Sequence, residues 1–573
     1  MTGNLPKQRW HFNQPNQQLV QQFSQLLGLS PIMAEVVINR GLDVPEDAQI
    51  YLDPEKQNLP SPLTEFPDLA KCLDLLLGAI ALNSKIAICG DYDADGMTST
   101  ALLIRALRHL GANVDYAIPS RMQDGYGINK RIVREFKEEG VSLILTVDNG
   151  ISAYEPIALA KELGLQVIIT DHHDLPPQLP PADGILNPKL LPPNSPYGGL
   201  AGVGVAYVLG VTLAQKMGKL EGLTRQLLEL FTLGTIADLA PLTGVNRRWL
   251  KRGLKRLAQP QILGIQALIK VGGVDKKKKT LNSDDIGFKL GPRINAIGRI
   301  SDPQIVIELL TTEDETIAFD RARECNAVNQ KRQELCKQIE KDAINLIEAQ
   351  KIDYKGDRFL LLLGEHWHHG VIGIVASRLV ERYGVPVFIA TYEDEEKNHI
   401  RGSARGIEEY NIFDALQYCD DLLMKYGGHK AAGGFSFVTK NIDSIKHRLR
   451  QFSHQLLSPE HLKPLLKIDS KISFEEANFE LIKEIETLYP WGIENAPPIF
   501  WTSEVKVVKQ NLTKGGEHLQ LRLKDDSGTE VKCIVWNKSY YYPLPPVIDV
   551  AYKVCVNEWQ GNKTVQLDIQ GFK

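Results

Sequence analysis

The sequence predicts an α/β protein in which a parallel sheet is joined by a long helix to a second α/β region, with a small β-barrel after it. Three observations predict this. From Lys85 to Thr170 short apolar runs alternate with segments of helical spacing, the pattern of βαβ units whose sheet is covered on both faces. A helical stretch of mixed charge, Arg321 to Gln350, precedes a second βα pattern that restarts at Arg358. Beyond residue 500 the apolar period falls to two, with a turn at Asp525-Asp-Ser-Gly528, as in a small barrel or sandwich.

The elements follow in order. Residues 1–75 read as a helical lead-in rich in Gln, Asn and Pro. In the first α/β region, 76–303, Lys85 to Gly90 is a strand, and Met97 to Leu110 a helix ended by Gly111. Asn113 to Pro119 is a strand, Asn129 to Glu139 a helix ended by Gly140, and Val141 to Val147 a strand. Ala153 to Leu163 is a helix and Gln166 to Thr170 a strand; 205–270 is mostly helical. Residues 304–352 form a helical connector, 353–457 the second α/β domain, and 458–573 the barrel with about five strands.

The chain has 573 residues with 66 Lys+Arg against 70 Asp+Glu, a net charge of −4, which does not announce a nucleic-acid binder. At 43% hydrophobic and 24% charged it is in the range of folded domains, not of disordered or fibrous chains. No apolar run approaches the ~18–20 residues of a membrane span, and the first ten residues lack an apolar h-region, so neither a membrane segment nor a signal peptide is expected. Seven scattered cysteines without a C-x-x-C pair predict a cytoplasmic protein with no thiolate metal site.

The densest chemistry is Asp91-Tyr-Asp93-Ala-Asp95-Gly96, directly after the first strand. Carboxylates at alternate positions can converge on a hard divalent cation, and Gly96 permits a tight turn into the helix. An EF-hand loop opens the same way, but its twelfth position here is Leu102 and a strand precedes it, so that reading fails. Asp148 ends another strand, Asp171-His172-His173-Asp174 the next, and Asp238 in Gly234 to Pro241 is a fourth candidate. Ligands of open α/β sheets bind beyond the carboxyl ends of the strands, so the three strand-end groups point at one crevice. Any single Asp here could be a helix N-cap; the whole set, with its histidines, favours Mn²⁺ or Mg²⁺ and has room for two ions, which can activate water and clamp a phosphoryl group.

These segments, Asp91 to Gly96, Thr146-Val-Asp-Asn-Gly150, Asp171-His-His173 and Gly234-Thr-Ile-Ala-Asp-Leu-Ala-Pro-Leu242, resemble in order motifs I to IV of the DHH phosphoesterases. The resemblance spans roughly residues 40–573 and includes Ser120 to Gly127, Gly291 to Ala296 and Gly427 to Gly434. It implies a DHH domain, a DHHA1 domain that holds substrate and an OB-fold. It further implies Asp93, Asp95, Asp148, His172 and Asp238 as metal ligands, with Asp148 bridging two cations and Asp91 in a place where many relatives carry a histidine ligand. His173 would face the scissile phosphate or leaving group, and Asp171 would orient the neighbouring imidazoles. The branch it resembles most cleaves single-stranded DNA from the 5′ end, acting in DNA repair and recombination as a monomer, with single-strand binding protein and a RecQ-like helicase as partners.

Other residues bear on strand binding. The Gly-rich run Tyr197 to Ala206 reads as close helix packing beside the metal site in preference to direct phosphate contact. Residues 245–299 hold fourteen Lys or Arg, among them Arg247, Arg248, Lys251, Arg252, Lys255 and Arg256, against three Asp, enough to line a channel for a polyanion. Lys276 to Lys279 reads as a solvated loop, whereas Arg293 and Arg299 are better suited to specific phosphate contacts. His366, His368 and His369 lack supporting carboxylates, so no zinc site is expected. Lys430 adds charge to a Gly-rich loop whose N–H groups can approach phosphate; by the resemblance Arg121, Ser377, Arg378, Ser403, Arg405 and His429 join it in binding substrate. Trp536, Tyr540, Tyr541, Tyr542 and Trp559 among lysines suit base stacking. The expected function is a two-metal exonuclease that releases mononucleotides. The alternatives are a phosphodiesterase of short or cyclic oligonucleotides, disfavoured by the barrel, and a non-catalytic replication scaffold, disfavoured by the intact acidic motifs.

Overall fold

The computed structural model describes Leu5 and residues 8–119, 126–274, 281–559 and 561–573. The chain forms two compact units, one of residues 49–331 and 488–496, the other of residues 1–48, 332–487 and 497–573. Among the described residues no helix is long and apolar enough to cross a membrane.

The first unit is built on β1 (Lys85–Cys89), α1 (Ala94–His109), β2 (Val114–Ala117), α2 (Lys130–Glu138), β3 (Val141–Val147), α3 (Tyr154–Glu162), β4 (Gln166–Thr170) and β5 (Gly184–Leu186). The five strands are parallel in the order β2-β1-β3-β4-β5. Their side chains alternate between two apolar layers. Ile86, Ile88, Leu143, Leu145 and Ile168 join the core beneath α1, while Ala87, Cys89, Ile144, Val167 and Ile169 pack with Ile132, Phe136 and Ile157 from α2 and α3. Burial on both faces is why these strands read as unbroken apolar runs. The short β5 escapes the sequence reading because Gly184-Ile-Leu186 is too brief to show a period.

Over the first layer lie α4 (Gly202–Lys216), α5 (Thr224–Ala237) and α6 (Gly244–Arg256), followed by α7 (Gly291–Ile300) after a π-helical turn, Asp285–Leu290. Much of the basic charge of α6 is spent inside the unit, which corrects its assignment to a strand channel. Arg247 is 2% exposed, stacks 4.0 Å from the Tyr51 ring, and donates to the Tyr51 and Leu488 carbonyls at 2.7 and 2.8 Å. Arg248 and Arg252 pair with Glu55, and Lys251 donates to the Leu52 carbonyl. The function of this side of α6 is to clamp residues 51–57. Arg247→Ala removes both hydrogen bonds, leaves the Tyr51 carbonyl without this donor and opens a cavity, and is expected to cost about 3 kcal/mol, read as a lowered urea midpoint of this unit.

The 35-residue α8 (Glu315–Ala349) carries the chain into the second unit. There β6 (Leu360–Gly364), α9 (His369–Tyr383), β7 (Val387–Tyr392), β8 (His399–Arg405), β9 (Lys425–Gly428) and β10 (Ala432–Val438) form a mixed sheet in the order β9-β10-β8-β7-β6, in which only β6 and β7 are parallel. Further on, β11 (Phe500–Leu512), β12 (Leu519–Lys524), β13 (Glu530–Val535), β14 (Val547–Trp559) and β15 (Asn562–Phe572) pair in the order β11-β12-β13-β15-β14. The additional pairing of β14 with β11 closes the barrel. The lead-in is not wholly helical. Arg9–Phe12 is a strand paired in parallel with Leu465–Ile468, held by Trp10 packing on Ile468 and Ala551.

Candidate metal centre

Because β1, β3 and β4 are parallel neighbours, the loops that leave them open on one edge, at the point where the strand order reverses about β1 and β3. Asp93 is the N-cap of α1 and accepts from the Gly96 N–H at 3.0 Å. The helix thus begins at Ala94 instead of Met97, and Asp95 lies in its first turn. Gly96 is helical, so the expected turn is corrected: its lack of a side chain makes room, since a Cβ there would come 2.6 Å from both Cβ and the carbonyl oxygen of Asp91. Asp148 leaves β3 with φ 59°, a left-handed conformation that Asp tolerates better than most residues and that is held by its surroundings. Next to it, the Asn149 amide donates to the Cys89 and Val147 carbonyls at 3.0 and 2.8 Å and accepts from Ile128 N–H at 3.1 Å, tying three segments together.

After β4, the buried Asp171 accepts from the backbone N–H groups of Ile151 and His172 at 2.9 and 2.7 Å, and from His173 Nδ1 at 2.7 Å. His172 Nε2 lies 3.0 Å from Asp148 Oδ1 and 3.5 Å from Asp95 Oδ2. Asp238 ends α5 as its C-cap. Three groups offer donor atoms within 4.8 Å of one another: Asp91, Asp93 and Asp148; Asp148, His172 and His173; Asp95, His172 and Asp238. Asp148 and His172 each belong to two of them and link all three, so the structure brings every sequence-predicted ligand into one cluster.

Burial, then the charge of Asp93, push the Asp95 carboxyl up to about 7 against the pull of the Val203 and Gly202 N–H groups. Burial and then Asp95 push Asp238 up to about 9 and hold Asp148 well above the ordinary carboxylate range. Burial, reinforced by the neighbouring His173 cation, pulls His172 down to about 4, leaving a neutral imidazole. His173 moves the other way: burial opposes its charge, but the hydrogen bond to Asp171 and the charges of Asp171, Asp93 and Asp91 together outweigh it. Burial pushes Asp171 up, but the His173 hydrogen bond and charge and the Ile151 and His173 N–H groups together hold it below its usual value.

The donor set fits divalent cations. Asp148 Oδ1 is buried and accepts no hydrogen bond among the described residues, and converging carboxylates beside a neutral imidazole lack the positive charge that would let all ionise. The fold's pH dependence follows from the same repulsion. Carboxyls raised above their unfolded value contribute stability below that value and lose it as pH rises through their folded values, about 7 for Asp95 and about 9 for Asp238. In EDTA the thermal midpoint is therefore expected to fall as pH rises across that window. Saturating Mn²⁺ should flatten the profile, and a flat profile in EDTA would contradict this reading.

Several supporting contacts are given no role by the sequence, although some of their residues lie within the matching segments. Asp95 accepts from Gly202 and Val203 N–H at 2.7 and 2.8 Å, so the start of α4 rests on this carboxylate. A Cβ at Gly202 would come 2.8 Å from Asp148 Cβ, in keeping with the close packing read from the Gly-rich run. The Tyr126 hydroxyl donates to the Asp148 carbonyl at 2.7 Å and lies 3.1 Å from His173 Nδ1. Asn295 Oδ1 accepts from Ala94 N–H at 2.9 Å, and Gly298 lets α7 press against the Tyr92 carbonyl.

The predicted phosphate-binding residues fare differently. Arg121 and Lys276 to Lys279 lie outside the described residues. Arg293 turns its guanidinium to Asn326 Oδ1 and the Lys289 carbonyl, which corrects its reading as an open phosphate contact. Arg299, half-buried, follows Gly298 on α7. In the second unit a Cβ at Gly373 would come 3.0 Å from Arg405 Nη2 and 3.3 Å from Ser403 Oγ, so α9 and β8 bring these two together, one turn before Ser377. Ser403 and Arg405 pair in register with Gly434 and Ala432, and His429 and Lys430 are exposed at the tip of the β9–β10 hairpin. Arg378 pairs with Glu340 of α8 at 2.7 Å. His368 caps α9. On the barrel, Trp536, Tyr540 and Tyr542 are exposed, whereas Tyr541 packs on Phe572; the Trp559 side chain lies outside the described residues.

A doubly covered parallel sheet with an aspartate–histidine cluster at its carboxyl edge defines the DHH class, and the model of the DHH family, N-terminal domain, matches residues 85–235. The DHHA1 domain matches 356–455 and the RecJ OB domain 468–571. The chain is 35% identical over 568 residues to the single-stranded-DNA-specific exonuclease RecJ of Bacillus subtilis, covering 98% of this chain and 70% of that protein. It is 33% identical over 563 residues to the same-named protein of Escherichia coli, covering 94% and 95%. Its fold matches the crystal structure of RecJ in complex with Mn²⁺ from Thermus thermophilus with a TM-score of 0.83 at 28% identity, over 99% of this chain and 80% of that one. The chain belongs to the RecJ family of single-stranded-DNA-specific exonucleases.

Proposed function

We infer that the protein is a metal-dependent exonuclease that degrades single-stranded DNA from its 5′ end to mononucleotides. The observation that carries this is the cluster itself: the donors Asp91, Asp93, Asp95, Asp148, Asp238 and His172 converge at the carboxyl edge of the sheet, beside a histidine held by Asp171. Divalent cations bound there, Mn²⁺ or Mg²⁺, supply an activated water and charge stabilisation at the attacked phosphate. The protein's own groups do the rest. Asp95, fixed by two backbone N–H groups, and Asp148, fixed by its backbone turn, hold their carboxylates in place before substrate arrives. Asp171 keeps the His173 ring oriented and favours its cation, so His173 is suited to hydrogen-bond the scissile phosphate and to give a proton to the leaving 3′-oxygen.

Ser377, Arg378, Ser403, Arg405, His429 and Lys430 are assigned to holding the strand's phosphates, with Arg121 and Arg299, and the exposed barrel rings to stacking on its bases. The 5′ polarity rests on the resemblance of the four ordered motifs. Single-strand binding protein and a RecQ-like helicase are its family-implied partners, in the cytoplasm.

Single-stranded and duplex DNA labelled separately at the 5′ and 3′ ends test this reading. With Mn²⁺ or Mg²⁺, a 5′ label on single strands should appear at once as mononucleotide, a 3′ label should appear late, and EDTA should stop both. Activity in EDTA, or early loss of the 3′ label, would overturn it. A preference for dinucleotides over long strands would favour the short-oligonucleotide phosphodiesterase.

A further inference from the structure

A cavity of about 740 Å³ lies between α4, α5 and α6 of the first unit, lined by Tyr207, Arg225, Trp249, Arg252, Lys255 and Arg256 among others. It is separate from the metal centre. Arg225 stands in the first turn of α5 and Asp238 ends that helix, about 20 Å away at 1.5 Å per residue. Trp249, Arg252, Lys255 and Arg256 recur at three- and four-residue steps, so one face of α6 supplies an aromatic ring and three cations. Trp249 is backed by Tyr207 and Phe231, with ring centroids 5.0 and 5.4 Å away, which fixes its plane.

The charges near this cavity divide into two sets. Arg252 is bound by Glu55, with Nε 2.6 Å from Oε1, and Arg225 is bound by the Gln259 carbonyl with Glu229 at 3.5 Å. Glu229 itself is turned away, accepting from the Gln261 and Ile262 N–H groups. The Lys255 ammonium and the Arg256 guanidinium are exposed and, among the described residues, have no ion-pair or hydrogen-bond partner. No acidic residue lines the cavity.

An anion alone would be served by the cations, and an apolar ligand by the rings. Both together, in a cavity within the ~300–1,000 Å³ of small-molecule sites, suit a planar aromatic group that carries a phosphate. Base stacking on an indole and an Arg fork on phosphate are the two interactions such a ligand uses. We propose that this cavity is a second nucleotide site, binding one nucleoside 5′-phosphate unit with its base against Trp249 and its phosphate on Lys255 and Arg256. The unit can come from two sources, a free mononucleotide or a nucleotide within a DNA strand.

The test is calorimetric titration of the full chain in EDTA with dAMP, deoxyadenosine, inorganic phosphate, a short oligodeoxythymidylate and an acidic peptide. dAMP should bind, more tightly than deoxyadenosine or phosphate alone. The doubly charge-reversed variant K255E/R256E, altered only at exposed positions and checked for an unchanged thermal midpoint, should weaken binding at least about tenfold. Asp148→Ala should leave it unchanged. Tighter binding of the oligonucleotide with the same sensitivity to K255E/R256E assigns the site to a strand; weaker binding assigns it to free nucleotide. Absence of dAMP and oligonucleotide binding, phosphate binding as tight as dAMP, capture of the acidic peptide alone, or binding lost in Asp148→Ala but kept in K255E/R256E would each overturn the proposal.

Discussion

Asp148→Ala is expected to lower the rate of single-strand hydrolysis at least about a thousandfold, close to 4 kcal/mol of transition-state stabilisation, with no loss of stability in EDTA. The two halves of this expectation have one cause. Asp148 is the carboxylate that, like the His172 imidazole, belongs to two donor groups, and burial and then its like-charged neighbours hold its carboxyl well above the ordinary range. Without cations it is a cost to the fold, and its removal relieves repulsion on Asp95 and Asp238. Its place in two donor groups leads to the expectation that it would serve both cations, so its removal should weaken both sites. Single-turnover rates and thermal midpoints measured with and without Mn²⁺ separate the two effects. A midpoint that falls in EDTA would mean that the carboxylate is a structural group first.

Gly202→Ala is expected to be nearly as damaging, lowering activity about a hundredfold or more although it adds one methyl group. That methyl would lie 2.8 Å from Asp148 Cβ, 2.9 Å from Asp95 Oδ2 and 3.1 Å from Asp148 Cα. Contacts so short force the start of α4 away from Asp95, whose carboxylate is fixed by the N–H groups of Gly202 and Val203. A displacement of about 1 Å at such a site costs on the order of a hundredfold. Gly199→Ala is the matched control in the same run, because a Cβ there meets Pro241 Cβ at an ordinary 3.5 Å. Equal losses in the two variants would contradict the argument.

Much of the centre is legible in the sequence because parallel strands bring their ends together whatever the helices between them do. Asp91 to Asp95, Asp148 and Asp171 to His173 each follow an apolar run, so one topological rule gathers them. Asp238 is readable only through its motif, since it ends a helix. Tyr126, Asn149 and Asn295 lie within the matching segments, but the hydrogen bonds they make to Asp148, Cys89 and Ala94 backbone groups cross between segments and show in no local pattern. Charge counting misleads for a related reason. Fourteen positive residues in 245–299 suggest a channel, yet Arg247, Arg248, Lys251 and Arg252 are committed to residues 51–57, and Arg293 to Asn326 and Lys289. Composition records a charge but not the partner that meets it. The strand Arg9–Phe12 escapes a local reading because its partner, Leu465–Ile468, lies in a distant part of the chain.

The central claim is that this aspartate–histidine cluster holds two divalent cations and that hydrolysis depends on both. Equilibrium Mn²⁺ binding to the metal-free chain, followed on the same preparation as its single-strand exonuclease activity, tests it most directly. Two Mn²⁺ per chain are predicted, with activity rising as the second binds and with both lost in Asp148→Ala. Full activity with one cation bound or none, or undiminished Mn²⁺ binding in Asp148→Ala, would contradict it.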